Sequence, residues 1–254
     1  MMKRIRIVVA YDGTAYCGWQ IQPNGITVEE VLNQKLRKLT GEDIHIIGAS
    51  RTDSGVHALG NVAVFDTESK IPPKRMAYAL NQKLPEDIVA VQSDEVPPGW
   101  HPRYQTNVTK TYEYHIYNAS FPNPLKRRYS AFVSFPMDVE KMRQGACYLV
   151  GEHDFTSFCN IRTNTEDTVR RIDGIEIERI GADIIIRITG NGFLYNMVRI
   201  IAGTLIRVGR GFYTPEKVKE ILDARKRTEA GVTAPPEGLV LVGIAYEDAG
   251  FERR

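Results

Sequence analysis

Residues 27–41, TVEEVLNQKLRKLTG, carry a complete helix signature. Thr27 is the N-cap of a capping box with Glu30 at N3, Val28, Val31, Leu32, Leu36 and Leu39 form the apolar stripe, and Gly41 stops the helix. Reading outward from it gives the surrounding order. Upstream, residues 4–11 alternate as a strand. Downstream, strands are expected at 44–49 and 61–66, then a helix entered through Pro72 and Pro73, then a strand at 88–91. The order is β-α-β-β-α-β.

The second half repeats that order. A strongly alternating strand at 110–117 leads through a Pro-rich loop to a helix at 139–149. Strands follow at 172–179 and 183–189, helical segments at 193–208 and 215–224, and a last strand at 239–246. The fold class expected is α+β: two ferredoxin-like (RRM-like) β-α-β-β-α-β halves, residues 1–105 and 106–254, sharing a mainly antiparallel sheet with a central active-site cleft. No sequence identity links the halves, so the repeat is one of architecture.

Composition sets wider bounds. The 254 residues are 43% hydrophobic and 25% charged with a net charge of +2, which fits an ordinary globular protein and only weakly favours a polyanionic partner. The start MMKRIRIVVAY is too short in apolar residues for a secretion signal, and no stretch reaches membrane-spanning length. Cys17, Cys147 and Cys159 are odd in number and far apart, arguing against a disulfide framework or a zinc site. A cytoplasmic address is expected, with no membrane and no metal. Two basic clusters stand out, Lys126–Arg127–Arg128 and Arg225–Lys226–Arg227; each is either a solvated face or a set of phosphate contacts.

The stretch 49–59, ASRTDSGVHAL, is the strongest functional signal. Arg51, Asp53, Ser54 and His57 sit on a Gly-containing connection between two expected strands, where functional residues concentrate. Arg199 lies in the otherwise apolar helical run GNGFLYNMVRIIAG and needs a partner if buried; Asp53 is the obvious one, and snorkelling to solvent is the alternative. Tyr195 is read as one turn earlier on the same helix face. In KTYEYHIY, Tyr112 and Tyr114 alternate with His115, which suits either base stacking or half-buried packing. His57, in a turn, is read as making a structural hydrogen bond.

Seven segments in order and spacing resemble the bacterial tRNA pseudouridine synthase A family: YDGTAYCGWQ (11–20), SRTDSGVHA (50–58), WHPRY (100–104), KTYEYHIYN (110–118), GEHDFTSF (151–158), GNGFLYNMVRIIAGTL (190–205) and APPEGLVLV (234–242). The resemblance implies that Asp53 is the catalytic carboxylate, that Arg199 is the catalytic arginine pairing with it, that Tyr112 stacks on the target base and that Arg51 holds the flipped nucleotide. Tyr195 and Leu241 are also expected at the substrate, and Lys126, Arg127 and Arg128, on their clustered charge, at the RNA. It further implies isomerisation of uridine to pseudouridine at positions 38, 39 and 40 of the tRNA anticodon arm, by a homodimer, without cofactor or metal. Ser50 and Ser54 depart from the commoner Gly and Ala without touching that chemistry.

The chemistry such a reaction needs matches these residue types. The N1–C1′ bond must break and the uracil rejoin through C5, so the base leaves the stack for a pocket with an aromatic platform. A carboxylate could add to C1′, add to uracil C6, or take the C2′ proton. Two rival readings are a non-catalytic RNA-binding module and a Ser54/His57/Asp53 hydrolase; the second lacks a G-x-S-x-G elbow.

Overall fold

The computed structural model describes residues 1–160 and 167–247. In chain order they form β1 (Lys3–Tyr11), α1 (Val28–Thr40), β2 (Ile47–Gly48), β3 (His57–Thr67), α2 (Met76–Asn81) and β4 (Ile88–Val96), then β5 (Val108–Asn118), β6 (Ala131–Val133), α3 (Val139–Cys147), β7 (Gly151–Asp154), β8 (Val169–Ile180), β9 (Asp183–Gly190), α4 (Met197–Gly209), α5 (Pro215–Ala224) and β10 (Leu239–Tyr246). The class is α+β, with strands that pair mostly antiparallel. No described helix is long and apolar enough to cross a membrane. Two compact units are present: Met1–Val108 with the described part of Leu241–Arg254, and the described part of Thr109–Val240.

In the first unit the strand order is β4-β1-β3-β10, with β2 also on β3. The alternation in β1 buries Ile5, Ile7 and Val9 completely, opposite Phe65, Ala63 and Asn61 of β3. The other face holds cations: Arg4 pairs with Asp66 at 2.6 Å and Arg6 with Asp94 at 2.5 Å. A register shift after Val9 sets Tyr11 opposite Ala58, a bulge that re-aims the end of the strand. The α1 caps form as the sequence predicts: Thr27 Oγ1 accepts the Glu30 N–H at 3.3 Å, and Gly41 takes the left-handed conformation at φ 77°.

Where a strand was expected at 44–49, only Ile47–Gly48 pair with β3. The reason is local: the Ile46 N–H is taken by the side chain of buried Asn33 from α1, so Ile44 and Ile46 bury their side chains without joining the ladder.

In the second unit the order is β5-β9-β8-β7, antiparallel throughout, with β6 parallel to β5. Tyr112, Tyr114 and Ile116 face Ile188, Ile186 and Ile184 across β5 and β9, all six buried. The first turn of the helix expected at 193–208 is absent. Asn196 is left-handed at φ 60° and α4 starts at Met197, so Tyr195 does not share a helix face with Arg199. α4 is buried on nearly every side from Ile200 to Leu205, with α3 and α5 packed around it.

Candidate active site

Asp53 sits in a loop gripped by the segment 11–20. Tyr11 Oη and Thr52 Oγ1 share a buried hydrogen bond of 2.7 Å, and the Trp19 N–H donates to the Thr52 carbonyl at 3.1 Å. Tyr16 O accepts from the Gly55 N–H and from Ser54 Oγ, both at 3.3 Å. The Gly13 N–H lies 3.0 Å from His57 Nδ1, and Asp12 Oδ1 lies 3.2 Å from the same nitrogen, so the buried ring is a strut of the loop. The loop closes on itself where the Val56 N–H meets the Asp53 carbonyl at 3.1 Å, with Gly55 at φ 77°. Buried Asn61 braces the entry, bonding both the N–H and the carbonyl of Ser50. The Thr52–Val56 backbone is thus tied to the segment 11–20 at several points, and Asp53 sits half-buried on it.

Two glycines make that grip possible. A Cβ at Gly13 would lie 2.0 Å from the Val56 carbonyl oxygen, and one at Gly18 would lie 2.6 Å from that of Thr52. Gly18 is also left-handed at φ 83°. The supporting residue Tyr16 donates to Asp87 at 2.6 Å; burial first, and then the Asp87 hydrogen bond, raise its phenol pKa and keep it a donor. Sequence reading missed Tyr11, Gly13, Tyr16 and Gly18 as supports of Asp53. The signal was present in the two glycines of YDGTAYCGWQ, but nothing in that string says which loop they face.

In the second unit Arg199 lies in the first turn of α4. Its Nε donates to the Ala234 carbonyl at 2.8 Å and one terminal nitrogen donates to Asn196 Oδ1 at 2.9 Å. Left-handed Asn196 thus ends the approach loop and orients the guanidinium. Tyr112 is only 8% exposed, its ring edge-on to Phe193 with centroids 5.2 Å apart. Tyr114 is fully buried with its hydroxyl on the Pro235 carbonyl at 2.9 Å; burial, reinforced by Glu237 and opposed by Arg199, raises its pKa. Tyr195 is 48% exposed on the loop before α4.

Arg51 is exposed two residues before Asp53, and Leu241 is fully buried in β10. Lys126 is ion-paired with Asp183 and lies over the Tyr117 ring, whereas Arg127 and Arg128 are exposed. In the other basic cluster, Arg225 pairs with Asp154 at 3.3 Å and Arg227 bonds Gly231 O and Thr233 Oγ1, so both are engaged within the unit.

A family profile described as tRNA pseudouridine synthase matches residues 7–105 and 146–247. The chain belongs to the tRNA pseudouridine synthase family. It is 48% identical over 245 residues to the tRNA pseudouridine synthase A of Thermoanaerobacter sp. (strain X514), covering 96% of this chain and 100% of that protein. Identity and coverage are the same for the tRNA pseudouridine synthase A of Brevibacillus brevis. A chain in a crystal structure of a Cbf5-Nop10-Gar1 complex aligns over 93% of this chain and 47% of its own, at TM-score 0.31 and 13% identity, too distant to carry an argument. As a pseudouridine synthase the protein is an isomerase acting on tRNA uridine, which sets aside the hydrolase and the purely RNA-binding readings.

Proposed function

We propose that the protein converts uridine to pseudouridine at positions 38, 39 and 40 of the tRNA anticodon stem-loop, with Asp53 as the catalytic carboxylate. The observation that carries this reading is the grip of residues 11–20 on the Thr52–Val56 backbone, which holds one carboxylate on an immobilised turn. Breaking a glycosidic bond and re-forming it one ring atom away demands such a fixed group, because the reacting atoms must stay within bonding reach while the base turns. The carboxylate serves as nucleophile or base toward the flipped nucleotide.

Arg199 is the second catalytic residue in this proposal. Its fork, held by Asn196 and the Ala234 carbonyl, is suited to keeping a carboxylate ionised and oriented. Tyr112 is the stacking platform; its ring must be uncovered when the nucleotide enters, and Phe193 at its edge steadies it. Arg51 and Tyr195, both exposed, contact the nucleotide, and Leu241 belongs to the pocket wall. Arg127 and Arg128 contribute phosphate contacts, while Lys126 keeps its internal partner. The protein acts in the cytoplasm as a homodimer, without cofactor or metal.

Kinetics test the pair. Asp53→Asn should abolish turnover while tRNA affinity stays within about threefold, since affinity rests on phosphate contacts. Arg199→Lys should lose much of the rate because it keeps the charge but not the bidentate fork, and adding it to Asp53→Asn should change nothing further because residues acting as a unit are non-additive. Near-normal turnover in Asp53→Asn would contradict the assignment.

A further inference from the structure

The WHPRY segment, residues 100–104, has no role in the chemistry above, yet it is tied to the Asp53 side of the first unit. Arg103 donates Nε–H to the Gly48 carbonyl at 2.7 Å, three residues before Arg51. Its backbone N–H donates to His101 Nδ1 at 3.2 Å, and Arg4 donates to the Trp100 carbonyl at 2.9 Å. The loop is therefore anchored to β1 and β2, and the Arg103 guanidinium is fixed by one edge with its two terminal nitrogens left for other use.

The charge balance around it is unusual. Arg51 is exposed and makes no hydrogen bond or ion pair among the described residues, and Arg103 has no ion pair there either. Burial of the anchored head, and then the neighbouring Arg51, push the Arg103 pKa below its ordinary value. Glu29 opposes this, but its carboxylate already accepts the Ile21 N–H at 2.9 Å. His101 is pushed down as well, by burial and by the Arg103 and Arg4 charges. The Gly48 anchor sets the Arg103 guanidinium beside the strand that leads into Arg51, where a multi-oxygen anion could accept from both side chains. Beside them Tyr104 is 80% exposed and stacked on His101, with centroids 4.2 Å apart and planes 19° from parallel.

We propose that Arg51 and Arg103 hold one backbone phosphate of the tRNA between them, and that Tyr104 offers its outer face to an adjoining base. The chemistry is that of nucleic-acid recognition: a paired-arginine phosphate clamp with a ring next to it. The proposal rests on tRNA being the substrate but not on which nucleotide is modified, so the test reads binding and not product.

The affinity of the full chain for an unmodified tRNA transcript is measured over a salt series. Arg103→Gln should weaken binding about tenfold at low salt, the size of a lost charged hydrogen bond. It should also flatten the log-log salt dependence by about 0.7 to 0.9, one phosphate's worth. Arg51→Gln combined with it should flatten the slope no further, because neither arginine holds the phosphate without the other. Should loss of the Gly48 bond unfold the Gln variant, Arg103→Lys carries the test: it retains the charge and the slope but lacks the fixed fork, and should bind at least about threefold more weakly. A Gln variant whose salt line runs parallel to the wild type, a double variant that loses two phosphates' worth of slope, or a Lys variant of wild-type affinity would each overturn the clamp.

Discussion

Asn196 shows at the scale of one residue how position is maintained. Its φ of 60° is uncommon for a residue with a side chain, and its Oδ1 is the acceptor that steers Arg199. Those two effects separate by substitution. Asn196→Gly removes both the left-handed strain and the acceptor, so the melting temperature should hold or rise while turnover falls about tenfold or more, a split readable from thermal unfolding and kinetics on the same sample. A variant with unchanged turnover would show that Arg199 is oriented without it. Asp53 and Arg199 stand out in the sequence as candidates because each is a charge in an unexpected setting, one on a Gly-containing turn and one in an apolar helical run. Asn196 does not, since the helical periodicity continues through it and only backbone geometry reveals that α4 starts after it. Tyr112 was legible as an aromatic on a strand, but its near-complete burial follows from partners on β9 and from Phe193, which alternation alone does not identify.

Among the elements, α1 and α5 were readable to within their caps because capping box, stop glycine and N-terminal proline are local signals. β2 shrank because Asn33, thirteen positions from Ile46, took a ladder hydrogen. β6 and β7 were invisible, being three and four residues long with no apolar alternation to mark them. The segment 11–20 was visible only as a resemblance, and the structure gives it a physical task. Gly13→Ala would force its methyl into the Val56 carbonyl, so the Thr52–Val56 turn must shift. The expected outcome is a destabilisation of about 1–3 kcal/mol, the range for overpacking, together with loss of turnover, measured by denaturant unfolding and steady-state kinetics. Wild-type stability in that variant would contradict the close approach of Gly13 to the Val56 carbonyl.

For the whole molecule, the net charge of +2 said little about partners, and the arrangement of charges says more. Among the described residues, Asp66 and Asp154 have carboxyl pKa values lowered by their surroundings. Asp66 is held down by its hydrogen bond from Arg4 and by that charge, against burial; for Asp154, burial acts upward but is outweighed by hydrogen bonds from Thr156 and Thr168 and by Arg225. A carboxyl whose folded pKa lies below its unfolded one adds stability above the unfolded value and loses it as pH falls through the folded value. Resistance to denaturant should therefore decline as pH drops from about 5 toward about 3. Asp66→Asn should be less stable at neutral pH and decline less steeply in acid. An identical acid slope would remove Asp66 from the account.

The most direct measurement is to incubate the purified protein with an unmodified tRNA transcript and map pseudouridine at every uridine. Wild-type protein should place it in the anticodon arm at positions 38 to 40 where uridine occurs, and Asp53→Asn should place none anywhere. Pseudouridine confined to another arm would contradict the proposed target, and pseudouridine formed by the Asp53→Asn protein would contradict the proposed catalyst.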